Sequence, residues 1–355
     1  MTALAERIKM WGRELGFQQL GITDVDLTED ERYLERWLAA GHHGEMGFMA
    51  KHGTRRTRPA ELVPGTRRVI SVRLDYLPPD VETTKVLGQP QTAYVSRYAT
   101  GRDYHKLMRK RLATLAKWME AEVGAFGYRA FVDSAPVMER ALARKAGLGW
   151  FGKNAMLLNP RAGSLFFLGE LYTDLPLPVD APFEGDHCGS CSACRTACPT
   201  GAIVEDRVVD ARACISYLTI ELHGAIPETY REAMGNRVFG CDDCQLVCPF
   251  TRFTRVSLET DFAPRHDLDR ASLVALFAWS KEEFLEKTAG SPIRRIGYER
   301  WLRNLAVGLG NAPWSKAVEA ALMARLPYPS DLVREHVRWA LARQREKRQR
   351  LIASG

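Results

Sequence analysis

Apolar residues along the chain fall into two rhythms. Leu4, Ile8, Trp11 and Leu15 recur at the spacing of one helix face, and Gly16 follows where a left-handed C-cap is expected. Tyr33, Leu34, Trp37 and Leu38 form a second stripe that stops at Gly41. Residues 67–76, RRVISVRLDY, then read as a strand, and Met108, Leu112, Leu115 and Met119 mark another amphipathic helix. YRAFVDSAP and GSLFFLGELY, rich in aromatic and aliphatic residues and bounded by Gly or Pro, read as buried strands. This alternation predicts an α/β domain over residues 1–180, and the three-proline stretch 174–186, DLPLPVDAPFEGD, reads as the linker that follows it.

A second region, 181–260, carries little apolar periodicity of its own. The third, 261–355, is helical, with one stripe at Trp301, Leu302, Leu305 and Leu309 and another at Leu332, Val333, Val337, Ala340 and Leu341. Pro327 and Pro329 are expected to separate two helical hairpins of a HEAT-like, all-α module, although two copies are too few to establish a period.

Composition narrows the class. A chain of 355 residues with 46% hydrophobic and 26% charged residues is globular rather than disordered. The first residues, MTALAERIKMWGRELGF, hold no long apolar run and no twin arginine, and nowhere do eighteen apolar residues stand together. The expectation is a cytoplasmic protein with no membrane partner. The formal charge of +7 is concentrated at one end: from Ser291 onward thirteen Lys/Arg stand against five Asp/Glu. Such a segment attracts polyanions through counterion release, or is a solvated helical face with a basic tail.

All eight cysteines lie between 188 and 248. A reducing compartment disfavours disulfides, so a cluster of this kind reads as metal ligands. Cys188-x2-Cys191-x2-Cys194-x3-Cys198-Pro is the spacing that wraps three thiolates around one 4Fe-4S cluster and sends the fourth to another. The second run, Cys241-x2-Cys244-x3-Cys248-Pro, is one CxxC shorter, and the solitary Cys214 fills its deficit. In the crossed pattern of ferredoxin-like two-cluster domains, Cys188, Cys191, Cys194 and Cys248 hold one cluster. Cys198, Cys214, Cys241 and Cys244 hold the other. Structural zinc is the rival, since paired CxxC units also make four-cysteine zinc sites, but zinc does not require two x3-Cys-Pro endings.

The first region shows neither a dinucleotide-binding glycine fingerprint nor a P-loop. The nearest match to a DxHxxG cobalamin signature, Asp103-x-His105-x-x-Met108, lacks the glycine, and Asp103 reads as a helix N-cap instead. Asp133 stands at the end of an apolar strand, followed by Glu139 and Arg140 and by a Gly/Lys/Asn loop at 147–154. A carboxyl among apolar neighbours holds its proton more tightly and can act as a general acid, whereas the simpler reading is an aspartate capping the next helix.

The string from Val132 to Leu171, the eight-cysteine pattern with its lone RACISYLTIE thiol, GNRVFGCDDCQLVCPF, and RRIGYERWLRNLAVGLGNA together resemble the epoxyqueuosine reductase family, in order and over nearly the whole chain. The resemblance implies an oxidoreductase that depends on cobalamin and two 4Fe-4S clusters, removes the epoxide oxygen of epoxyqueuosine at the tRNA wobble position, and shares its redox architecture with reductive dehalogenases. It implies that an external low-potential donor feeds the clusters, that the clusters reduce cobalt, and that Asp133 protonates the departing oxygen. Arg56, Ser96, Asp133, Lys153, Asn154, Ser216 and Asp242 match positions near the corrin. With an RNA substrate implied, the basic helical end becomes the platform for the anticodon stem-loop, with Arg294, Arg295, Arg303, Arg334 and Arg338 as candidate contacts on a monomer. Two other functions remain as alternatives: a dehalogenase of small organohalides, and a non-catalytic electron-carrier subunit.

Overall fold

The structure, a computed structural model, describes residues 1–79 and 81–354. Its principal sheet has four strands: β1 (Gln19–Thr23), β2 (Arg68–Asp75), β5 (Phe166–Thr173) and β4 (Tyr128–Phe131), in that spatial order. A short strand β3 (Tyr94–Val95) lies outside it and pairs in parallel with β6 (Arg237–Phe239). All three contacts of the main sheet are antiparallel. This corrects the α/β expectation: helices and strands do alternate along the chain, but no two neighbouring strands of this sheet run the same way. Hydrophobic periodicity reports the type of each element and not the direction of its partner, so the layout is α+β.

Period-two alternation assigns the two faces of the sheet. Ile70, Val72, Leu74 and Leu171 point to one side, where they join Leu4 and Ile8 of α1 (Thr2–Glu14) and Met108, Leu112, Leu115 and Met119 of α3 (Tyr104–Val123). The alternate residues Val69 and Tyr172 meet Leu27, just before α2 (Thr28–Ala39), and Ala141 and Leu142 of α4 (Glu139–Lys145). Asp103 does cap α3, accepting from the His105 backbone N–H at 2.9 Å. Gly16 (φ 87°) and Gly41 (φ 67°) adopt the left-handed conformation that turns the chain out of α1 and α2.

The segment 174–186 has no regular structure, yet Asp180 Oδ2 accepts from the Ile22 N–H at 2.8 Å and so ties it to β1. In the cysteine region, the short helices Ala193–Ala197 and Asp243–Leu246 pack on each other, and α5 (Ile215–Ile220) follows Cys214. Toward the C-terminus, α6 (Gly297–Asn311) packs on α8 (Asp331–Ser354), with α7 (Lys316–Arg325) between them in the chain. Pro327 and Pro329 fall between α7 and α8, and a single helix rather than a second hairpin follows them. Gln344 and Lys347 of α8 donate to the carbonyls of Leu309, Gly310, Asn311 and Ala312, where α6 would otherwise leave them without partners.

The apolar core of this helical part is shared. Ala93, Val95 and Ala99 from the first region, and Ile220, Val238 and Phe239 from the cysteine region, pack with Trp301, Leu305 and Val337. Folding therefore draws the first and the cysteine regions against the helices. Among the described residues, no helix is long and apolar enough to cross a membrane.

Candidate active site and cysteine centres

Asp133 sits on the turn between β4 and α4 with φ at 48°, an uncommon backbone conformation for a residue with a side chain. Its N–H donates to Glu139 Oε1 at 2.6 Å, which anchors the turn to the first residue of α4. The carboxyl opens on the cleft and is 60% exposed. Tyr104 Oη donates to its Oδ2 at 2.9 Å, and His105 Nε2 lies 3.5 Å from the same oxygen. His105 Nδ1 is in turn 2.6 Å from Asp103 Oδ1. Tyr104 is itself locked by stacking on Phe167.

These contacts overturn the expectation that Asp133 holds its proton tightly. The packed surroundings push its carboxyl up, but the hydrogen bonds from His105 and Tyr104, with the nearby charges of His105 and Arg295, bring it below its ordinary value. The proton is held elsewhere. Burial opposes charge on His105, but Asp103 and Asp133 on either side raise its pKa to about 9. Burial and the charge of Asp133 raise Glu139 to about 8, and Glu139 meets the carboxyl of Glu170, which burial holds well above the usual range. Sequence reading passed over His105, Tyr104 and Glu170. The DYH tripeptide at a helix start was the available signal, and Glu170 on a strand pointing to the α4 face carried none.

Arg56 is nearly buried, donates to the carbonyls of Phe48 and Met49, and senses the charges of Glu139 and Asp133. Asn154 Nδ2 donates to the Cys244 carbonyl at 3.0 Å, and Lys153 Nζ pairs with Asp206 at 3.3 Å. Arg140 donates to the Ala155 carbonyl. One loop therefore reaches from the acid cluster to the cysteines. Ser216 is half-buried in the first turn of α5, behind Cys214. Ser96 and Asp242 are buried against each other: the Asp242 carboxylate accepts from Tyr94 Oη, Ser96 Oγ and the Arg97 N–H.

None of the cysteines is in a disulfide. Cys194 senses Cys188, Cys191 and Cys248, while Cys214 senses Cys198, and Cys244 senses both Cys214 and Cys198. Cys188, Cys191, Cys194 and Cys248 thus lie near one another, as do Cys198, Cys214 and Cys244, while Cys244 also senses Cys194. Among the described residues, no three of these side chains converge tightly enough to form a ready metal site. Cys241 Sγ lies 2.9 Å from Asp243 Oδ2, a carboxylate that Arg237 neutralises. Cys191 is exposed and the other seven are partly covered.

The basic candidates divide sharply. Arg303 is fully buried and donates to the carbonyls of Leu218, Leu222 and Gly224 and to Asn304 Oδ1, so it is removed from the direct RNA contacts. Arg295 is exposed but held by both oxygens of Glu221. Arg294 donates to the Leu285 carbonyl, and Arg334 pairs with Asp331. Arg338 is exposed on α8.

Eight clustered cysteines, joined by the 152–155 loop to a group of carboxyls, fit a double-cluster iron-sulfur protein. A family profile described as 4Fe-4S double cluster binding domain matches residues 187–251, and one described as Epoxyqueuosine reductase QueG, DUF1730 matches residues 56–134. The epoxyqueuosine reductase of Pseudomonas aeruginosa is 65% identical over 343 residues, covering 97% of this chain and 95% of its own length. The chain belongs to the epoxyqueuosine reductase family and is an oxidoreductase of queuosine tRNA modification. A crystal structure of epoxyqueuosine reductase with a tRNA-Tyr epoxyqueuosine-modified stem loop matches with a TM-score of 0.87 at 27% identity, covering 96% of this chain and 90% of that one. A structure from Bacillus subtilis, in which an aspartate catalytic loop is swung out of the active site, matches with a TM-score of 0.84 at 27% identity over the same shares. Family membership at this identity displaces the organohalide and carrier-subunit alternatives.

Proposed function

We propose that this chain reduces epoxyqueuosine to queuosine in the anticodon loop of tRNA with Asp133 delivering a proton to the departing epoxide oxygen. The observation that carries the reading is Asp133 itself, on a strained turn, open to the cleft and held by Tyr104 and His105. An alkoxide is a poor leaving group near neutral pH, and a positioned acid removes that penalty. The swung-out loop of the Bacillus subtilis relative fits a turn that moves, which a strained backbone at Asp133 would favour.

Cobalamin is tested against the residues present. The 152–155 loop reaches from Arg140 beside the acid cluster to the carbonyl of Cys244, a bridge suited to bordering a large planar ligand. The residues fit such a group: Arg56, Lys153, Asn154 and Ser216 would hold it, while Ser96 and Asp242, already bonded to one another, would support the wall behind. When bound, cobalamin supplies low-potential reducing chemistry at the epoxide carbon. The chain does the rest. Tyr104 orients the Asp133 carboxyl.

Exposure of Cys191 supports the quartet of Cys188, Cys191, Cys194 and Cys248 as the one within reach of an external low-potential donor. We assign Cys198, Cys214, Cys241 and Cys244 to the second cluster, on the side where Asn154 bonds the Cys244 carbonyl. Arg294 and Arg295 just before α6 and Arg338 on α8 are exposed, Arg334 is half-exposed beside Asp331, and together they suit RNA phosphates, with the target base turned out of its stack. We assign catalysis to 1–180, cluster binding to 181–260 and RNA binding to 261–355, in a cytoplasmic monomer. The test is anaerobic: reconstituted protein, cobalamin, a low-potential reductant and epoxyqueuosine tRNA, with nucleosides analysed by mass. Loss of one oxygen from the nucleoside is expected, and Asp133→Asn should keep clusters and corrin yet lose turnover. Normal turnover in that variant refutes the proton-donor role.

A further inference from the structure

Deoxygenation of an epoxide to an alkene consumes two electrons and two protons and releases water. The electrons come from the external donor of the established activity. The protons must come from the protein or from solvent, and Asp133 rests as a carboxylate with none to give.

We propose that His105, held by Asp103, is the proton store that loads Asp133 during turnover. The geometry is a file of three groups. Asp103 Oδ1 lies 2.6 Å from His105 Nδ1 and accepts its proton, which leaves Nε2 as the imidazole nitrogen next to Asp133 Oδ2, 3.5 Å away. Asp103 is fixed because the same oxygen caps α3, and the imidazole is fixed by stacking on Tyr104. In the transfer, the His105 Nε2–H bond breaks as an Asp133 O–H bond forms, and that proton passes to the departing oxygen; once His105 has recharged from solvent, a second proton follows the same file and the oxygen leaves as water. Moving a proton from imidazolium to carboxylate alone is uphill. It becomes favourable overall because the alkoxide is a far stronger base than either. The neutral imidazole is then reprotonated from the cleft, where His105 is partly exposed.

The charged and titratable groups facing this file are Asp103, Tyr104 and Arg109 on its own helix, Glu139 of α4, Glu170 of β5, Arg56, Tyr98, Arg295 before α6, and Asp133 itself. The carboxylates hold imidazolium through neutral pH, to about 9. A store of this kind differs from an orienting residue in one respect: the rate must follow its protonation.

This inference rests on the Asp133 reading, and the experiment separates the two. In the cofactor-free chain, carbon-13 NMR of labelled histidine should find one imidazole titrating near 9, absent in His105→Gln and shifted toward the ordinary value of about 6.5 in Asp103→Asn. In the loaded enzyme, single-turnover kcat of wild type should fall above that pH, and His105→Gln should lose that alkaline limb and run about 10²-fold slower at pH 7, the scale of general acid catalysis. An ordinary His105 titration in wild type, or a His105→Gln enzyme with wild-type rate and limb, overturns the proposal. If Asp133→Asn also turns over normally, the proton-donor reading falls with it. If only the His105 arms fail, solvent reloads Asp133 directly.

Discussion

Replacing Arg303 by methionine isolates what a buried cation does at the junction of the helical and cysteine regions. Its guanidinium donates to three backbone carbonyls, those of Leu218 at 2.8 Å, Leu222 at 2.7 Å and Gly224 at 2.7 Å, and to Asn304 Oδ1 at 3.0 Å. The side chain is completely buried, so water cannot replace these bonds without opening the interface. Methionine preserves most of the stem volume and strands the carbonyls. Each buried acceptor left without a donor costs about 1–3 kcal/mol. Local relaxation and partial rehydration keep the three from adding in full, so the expected loss is about 3–5 kcal/mol. Lysine, with one ammonium in place of the fork, should fall between wild type and methionine. Urea denaturation followed by tryptophan emission and circular dichroism reads the change, since Trp301 stands two positions away on α6 and stacks on Trp279. A methionine variant within about 1 kcal/mol of wild type refutes the structural assignment. One that is stable but fails to bind tRNA would restore Arg303 to the RNA surface.

Three further outcomes are expected. Serine at Cys214 or at Cys191 should each remove one cluster, lowering iron by about half in anaerobically reconstituted protein, because each belongs to a different quartet; unchanged iron at either position contradicts the grouping. Arg338→Ala should weaken tRNA binding with little effect on stability and reduce the slope of log affinity against log salt by about one unit, whereas an unchanged slope removes it from the interface. His336 is buried, with Nε2 accepting from the Ile226 N–H at 3.1 Å, and burial pushes its pKa down to about 3. Since the unfolded chain protonates near 6.5, this group's stability is full above that pH and is lost as pH falls from there toward 3. Between pH 7.5 and pH 5 wild type should lose about 2 kcal/mol more than His336→Gln in urea titrations, and equal losses refute it.

Local signals in the chain were sufficient for several parts of the molecule. The stripes of α1, α3 and α6 are helices because burial at three- and four-residue spacing needs no distant partner to be recognised, and all four apolar positions of α3 are buried. Asp103 capped its helix as its position before an amphipathic run required. The cysteine spacing was enough to indicate a double-cluster region, which the family profile over residues 187–251 matches, since ligand loops are short and their reach is set by covalent geometry. The fold class was only partly legible. Strand content showed, while strand direction did not, because register and direction are settled between segments far apart in the chain.

Tertiary structure alone decided charge and chemistry. Thirteen basic residues from Ser291 onward form one number in the sequence, yet folding buries Arg303 on carbonyls, aims Lys347 at the end of α6, and leaves Arg338 in solvent. Composition sums charges, whereas binding depends on which of them face water. The same holds for Asp133. Apolar neighbours in its strand pointed to a tightly held proton, but the side chains that set its protonation, Tyr104 and His105, come from a helix about thirty residues earlier and meet it only through the sheet. A carboxyl's proton affinity is a property of its neighbours in space. That is why the site's residues could be named from the sequence and their protonation states could not.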